Sequence, residues 1–208
     1  MLYATSNQVS QERRILLDLL SNKKIDGILV EGTKTALHNP NLDLYRKLQD
    51  RNVPLVFFHG SYPQLEDAVC VLDDNYQGGR QLVEYLASRG HTRIAGMFKN
   101  DDIQGHQRYA GFIDALRDLN LPIDDQRIYW YSTETRDVTN IHSTLWKNQV
   151  VPILTGCTAV VFAPLACALW LPKRIASGYA LVSAILSPTI VLIFGLWGIL
   201  PFDPFFIG

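Results

Sequence analysis

Cysteine is scarce in this sequence: Cys70, Cys157 and Cys167 are all it has, and they follow no metal-ligand spacing. An odd, sparse set excludes a disulfide framework and reads as buried thiols of a reducing compartment. A basic excess is missing too. A net charge of −1 provides no field for nucleic acid or an anionic membrane surface, which argues against direct DNA binding by this chain. Residues 1–24 lack the basic start, apolar run and small-residue cleavage site of a secretory signal, so nothing exports residues 1–148. Catalytic signatures are absent as well: there is no G-x-S-x-G, Walker A or dinucleotide-binding glycine pattern. His38, His59, His106 and His142 have no H-x-H, H-E-x-x-H or C-x-x-C company. No catalytic residue, metal or cofactor is expected.

What is present up to about residue 131 is an alternation of strands and helices. Gln8–Asn22 carries Ile15, Leu16, Leu19 and Leu20 at helical spacing behind Ser6 and Asn7 as caps. Ile25–Glu31 reads as a strand, Asn41–Asn52 as a helix, and Val53–His59 as a continuous apolar run suited to a buried parallel strand. Ala68–Leu72 (strand), Tyr76–Arg89 (helix, ended by Gly90), Arg93–Phe98 (strand), Gly105–Leu119 (helix) and Arg127–Tyr131 (strand) come next. This order predicts an α/β fold, a doubly wound parallel sheet covered on both faces, with any ligand beyond the carboxyl ends of the strands. Those ends are rich in hydrogen-bonding groups, which suits a polyhydroxylated ligand.

The run LDDNYQGGRQLVEYLASRGHTRIAGMF (Leu72–Phe98) and the later RYAGFIDAL (Arg108–Leu116) resemble the signature of LacI/GalR-type effector domains, as does IDGILVEG (Ile25–Gly32). EGTKTAL (Glu31–Leu37) and FKNDDIQGHQR (Phe98–Arg108) are similar to the arabinose-responsive, GntR-headed branch of that family. The likeness covers roughly residues 1–135. It implies a periplasmic-binding-protein-like fold and ligand-controlled repression, in which a sugar effector closes two lobes and changes the geometry of a homodimer. It further implies a truncated domain: no DNA-binding head precedes Met1, and LYATSN looks like the family's second strand, leaving the first strand and helix without a counterpart. The lobes are expected at residues 1–92 and 93–148.

The remainder, residues 149–208, reads differently. After Asn148 only Lys173, Arg174 and Asp203 are charged. Val150–Leu171 and Ile175–Leu200 carry no charge, and each is long enough to cross a ~30 Å hydrocarbon core at ~1.5 Å per residue. The expectation is a membrane-spanning helical hairpin through residues 150–200, and the stretch from FAPLACALW to the end is similar to late helices of sodium/solute symporters. Lys173 and Arg174 would put residues 1–148 outside, contrary to the missing signal. The simplest account is a chimeric reading frame joined near residues 139–150, with a symporter fragment as the alternative reading.

Seven residues are candidates for sugar contact. Arg108 matches the family's effector-binding arginine, and its planar five-donor group can grip two hydroxyls at once; on spacing alone, a solvated helix arginine or an ion pair with Asp101 or Asp102 fits better. Asp73, Asp101 and Asp102 offer acceptor carboxylates at strand ends, although capping of the next helix explains Asp74 and Asp102 equally well. Glu31 and Lys34 lie on the first such loop, where a solvated pair is the alternative. Tyr62, with Phe58, supplies a flat apolar wall for a sugar ring, or simply packs in the core.

Overall fold

A computed structural model describes residues 1–21, 25–65 and 68–162, and these divide into two compact units. Unit 1 comprises residues 1–73 and 101–104; unit 2 comprises residues 74–100 and the chain from Gly105 onward.

Unit 1 contains α1 (Val9–Ser21), β1 (Ile28–Glu31), α2 (Leu42–Asp50), β2 (Leu55–Phe58) and β3 (Val69–Val71). The three strands form a parallel sheet in the order β1-β2-β3, with Leu29 opposite Val56 and Val56 opposite Val69. Side chains alternate across a strand. Val30, Leu55 and Phe57 therefore face one side, where Leu16 of α1 and Leu44, Tyr45 and Leu48 of α2 cover them. At ~1.5–3 kcal/mol for each fully buried large apolar side chain, this single layer supplies most of the unit's cohesion. The opposite face exposes Leu29, Val69 and Val71. The expectation of helices on both faces thus fails here among the described residues. The residues read as a second strand, LYATSN, form no strand either.

Unit 2 meets the two-faced expectation. It contains α3 (Asn75–Ser88), β4 (Ile94–Lys99), α4 (Ile103–Asp118, whose first two residues group with unit 1), β5 (Ile128–Tyr131), α5 (Val151–Leu154) and β6 (Ala159–Phe162). The parallel sheet runs β5-β4-β6. Ile94 and Phe98 face a core with Val83 and Leu86 of α3 and Phe112, Ala115 and Leu116 of α4. Ala95 and Met97 face a second core with Val138, Trp146 and Val150. Asp74 caps α3 by accepting the Gln77 amide at 3.0 Å, and Gly90 takes the left-handed conformation (φ +89°) that ends it.

Glycines decide how α3 and α4 meet. A Cβ on Gly79 would stand 2.1 Å from the Arg108 carbonyl oxygen, and one on Gly111 would stand 1.9 Å from that of Tyr76. The two helices therefore cross backbone to backbone at Gly79 and Gly111, which accounts for glycine at those two positions despite its low helix propensity.

The membrane reading requires correction. Residues 150–162 are not the start of a spanning helix: they form α5 and then β6, whose four residues are all buried and pair with β4 from Ile94↔Ala159 to Met97↔Phe162. No helix among the described residues is long and apolar enough to cross a membrane. Within the uncharged run, Ala159–Phe162 reads as part of a span because a strand buried on both faces is as apolar as a lipid-facing segment of that length. The join expected near residues 139–150 also falls inside continuous structure. The second span, Ile175–Leu200, and nearly all of the symporter-like stretch lie outside the described residues.

Candidate functional site

In unit 1 the carboxyl ends of three parallel strands lie side by side, and they gather candidates distant in sequence. His59, directly after β2, brings Nδ1 to 3.4 Å from Glu31 Oε1 and Nε2 to 3.9 Å from Asp73 Oδ2. Its backbone is left-handed (φ +62°), and a tight turn comes next in which Gly60 N–H donates to the Phe58 carbonyl at 2.7 Å. Glu31 and Asp73 thus share an imidazole that spacing had set aside only as a metal ligand. Among the described residues no group of three or more His, Cys, Asp or Glu side chains is arranged to hold a metal ion.

The loop after β1 brings together the other candidates of this unit. Lys34 Nζ lies 3.9 Å from Asp101 Oδ2, with the lysine side chain 17% and the aspartate side chain 4% exposed. The Lys34 amide donates to Asn7 Oδ1 at 2.7 Å, and Asn7 Nδ2 donates to Asp102 Oδ1 at 3.2 Å. Asn7 therefore ties the two candidate stretches together. Segment 101–104 is further held by Ala36 N–H on the Asp101 carbonyl and by Ile103 N–H on Thr35 Oγ1, at 3.3 and 3.0 Å. Gly32 and Gly60 make room for Thr35: a Cβ on Gly32 would lie 2.6 Å from Thr35 Cγ2.

Tyr62 is not an open wall for a sugar ring. It is 2% exposed, its ring packs against Tyr45 and Phe57, and its hydroxyl accepts the Thr33 amide at 2.6 Å. The same hydroxyl lies 2.9 Å from Glu12 Oε1, and Tyr45 donates to that oxygen at 2.8 Å. Burial first, and then the Glu12 charge beside them, hold both phenols well above the ordinary tyrosine range. Glu12 went unnoticed in the sequence, yet its position four residues before Leu16 places it on the buried stripe of α1.

In unit 2 Arg108 reaches back to α3: its Nε donates to Asn75 Oδ1 at 2.9 Å, and Asn75 Nδ2 donates to Gln107 Oε1 at 3.3 Å. Asn75 is buried at the start of α3, so the guanidinium base is anchored on that helix. Phe98, Tyr109 and Trp130 form an aromatic cluster behind it, with ring centroids 4.9–5.7 Å apart.

A hollow of about 800 Å³ lined by Arg46, Pro54, Leu55, Gln64 and Val69 lies elsewhere, at the amino ends of β2 and β3. It contains none of the candidates. Ligands of parallel sheets sit at the carboxyl ends, so the chemistry belongs with the loops described above.

This arrangement, parallel strands whose carboxyl-end loops in unit 1 present carboxylates, amides and the Lys34 ammonium, is that of a parallel α/β domain with its polar groups at the strand ends where such sheets take ligands. Residues 4–160 match the family of periplasmic binding proteins and sugar binding domain of LacI family, and the chain belongs to that family. It is 38% identical over 136 residues to the arabinose metabolism transcriptional repressor of Halalkalibacterium halodurans, covering 65% of this chain and 36% of the relative. To the protein of that name from Geobacillus stearothermophilus it is 35% identical over 136 residues, covering 65% of this chain and 37% of the relative. The chain thus spans little more than a third of these relatives. Its fold is similar to that of the transcription regulator CcpA of Lactococcus lactis, with a TM-score of 0.59 at 21% identity, covering 91% of this chain and 62% of that one. The family match runs into β6, which places residues 139–160 within the same domain as what precedes them.

Proposed function

We propose that this chain is the effector-sensing part of a transcriptional repressor and that its effector is a small sugar of the arabinose class. The observation that carries the reading is the identity of 38% and 35%, each over 136 residues, to two arabinose metabolism repressors. In this reading Lys34, Asp101 and Asp102 are the sugar contacts of unit 1, with Glu31 and Asp73 at the neighbouring strand ends; Arg108 is the candidate contact of unit 2, taken by itself. Cations and carboxylates together read a ring of hydroxyls, since the first only donate and the second only accept. Tyr62 acts from behind the loop and not as a contact. The net charge of −1 supports assigning DNA contact to a part of a repressor other than these residues. A homodimer in the cytoplasm is the working state in this reading.

Calorimetric titration of the full chain with L-arabinose, D-xylose and D-glucose tests it. Saturable heat with arabinose, weakened at least ~10-fold by Lys34→Met or Arg108→Met, is the expected result, because a lost hydrogen bond to a charged group is worth ~1.5–3 kcal/mol. No heat with any pentose or hexose would refute sugar sensing.

A further inference from the structure

Glu12 is 2% exposed, and four neutral donors converge on its two oxygens. The Tyr45 and Tyr62 hydroxyls meet Oε1 at 2.8 and 2.9 Å, and the side-chain amides of Asn39 and Asn41 meet Oε2 at 2.7 and 2.9 Å. A carboxylate accepts at about four lone-pair sites, and this set serves it without a cation, Tyr62's single proton being shared between Glu12 Oε1 and the Thr33 carbonyl. Packing of α1 on α2 does not call for such a group: Leu16 already joins that core, and an apolar residue would cost no desolvation. The donors, moreover, come from three separate segments of unit 1, two of them loops.

The network also reaches the candidate loop. Tyr62 Oη takes the Thr33 N–H at 2.6 Å and lies 2.8 Å from the Thr33 carbonyl. The next residue, Lys34, sits at φ +46°, a left-handed conformation that a residue with a β-carbon does not hold unaided. Hydrogen bonds on and beside it help to hold it: Leu37 N–H on its own carbonyl at 2.8 Å, Asn7 on its own amide, and Tyr62 on Thr33. We propose that Glu12 is the positioning residue of the effector loop: through Tyr62 it fixes Thr33 and so keeps Lys34 in the strained conformation that sets its ammonium beside Asp101. The role given to Lys34 rests on the sugar-sensing reading above; the mechanical coupling of Glu12 to the loop does not. Glu12 itself touches no ligand.

Two measurements on the full chain separate these claims. Without ligand, amide exchange is compared in the wild type, Glu12→Gln and Tyr62→Phe. Glu12→Gln turns one acceptor into a donor facing donors, and exchange at residues 33–36 is expected to quicken about tenfold while Phe57 in β2 is unchanged. With L-arabinose, a double-mutant cycle is run between position 12 and position 34. The affinity lost on Lys34→Met is expected to be about tenfold in the wild type and under about twofold in Glu12→Gln, because a lysine no longer held in place has little to lose. A residue that merely stabilises the fold would lower the melting temperature and leave both factors equal.

Unchanged exchange at residues 33–36 in both variants, or an equal Lys34→Met loss in both backgrounds, overturns the proposal. If Glu12→Gln loosens β1 and β2 as a whole, Tyr62→Phe, which keeps the carboxylate and both asparagines, decides by the same criteria. If the wild type binds no arabinose, the sugar reading fails and the exchange measurement alone decides the coupling.

Discussion

Gly111→Ala is a demanding perturbation of unit 2. Two effects of opposite sign meet at this site. In an exposed helix interior the change would stabilise, since glycine is ~0.8–1.0 kcal/mol less favourable than alanine. Here the new methyl would lie 1.9 Å from the Tyr76 carbonyl oxygen and 3.1 Å from the Arg80 nitrogen, whereas real Cβ contacts essentially never fall under 3.0 Å. The obstacle is the backbone of α3, which no rotamer change can move aside. The helices must part by roughly 1 Å, opening the layer of Val83, Phe112 and Ala115, each fully buried. Overpacking of this kind costs ~1–3 kcal/mol, and an immovable neighbour puts it at the upper end. Net of the propensity gain, a loss of about 2 kcal/mol is expected, or roughly 1 M in the urea midpoint at an m-value of ~2 kcal/mol/M. Tryptophan fluorescence reads it directly, because no tryptophan precedes Trp130 and both Trp130 and Trp146 belong to unit 2. A midpoint equal to or above that of the wild type would show that the helices do not cross at this glycine.

Two further expectations concern the buried phenols and the last described strand. The folded chain keeps protons on Tyr45 and Tyr62 that the unfolded chain releases above about pH 10, so their contribution is complete below that pH and lost above it. Stability should fall above pH ~10 by up to about 2.7 kcal/mol per pH unit, and by half of that in Tyr45→Phe; urea midpoints at pH 9–11 check the slope. Val161→Asp should cost more than ~4 kcal/mol and abolish the cooperative unfolding transition, because Val161 is 2% exposed in β6 and nothing there would pair with the carboxylate. Wild-type unfolding of this variant would remove β6 from the core.

Much of the fold was legible locally. Each strand and helix expected from Gln8 to Tyr131 is found within a few residues of its expected bounds, because the patterns there are strongly periodic and are closed by identifiable residues: Asp74 at one end of α3, Gly90 at the other. The weak point was residues 150–162. A run such as AVVF has no period, and only pairing distinguishes a core strand from part of a membrane span. The uncovered face of β1 and β3 escaped as well, since an apolar side chain on a strand does not record whether anything lies on it.

Glu31, Lys34, Asp73, Asp101 and Asp102 are read from the rule that ligand groups sit at strand ends; in unit 1 Glu31 and Asp73 meet at His59, and Lys34 meets Asp101 while Asn7 meets Asp102. Arg108 was drawn from a family pattern, and its anchor on Asn75 is visible only in three dimensions.

What the chain order decided alone is the alternation of elements and the caps of α3, because each depends on backbone preferences and neighbours within a few residues. Only the tertiary structure could decide that β6 lies beside β4, that Tyr62 works behind the loop, and that Glu12 governs residues 33–34 from a separate helix. Those outcomes rest on contacts between distant segments, where hydrogen bonds and burial are settled by what folding brings near, and no local pattern encodes the partner.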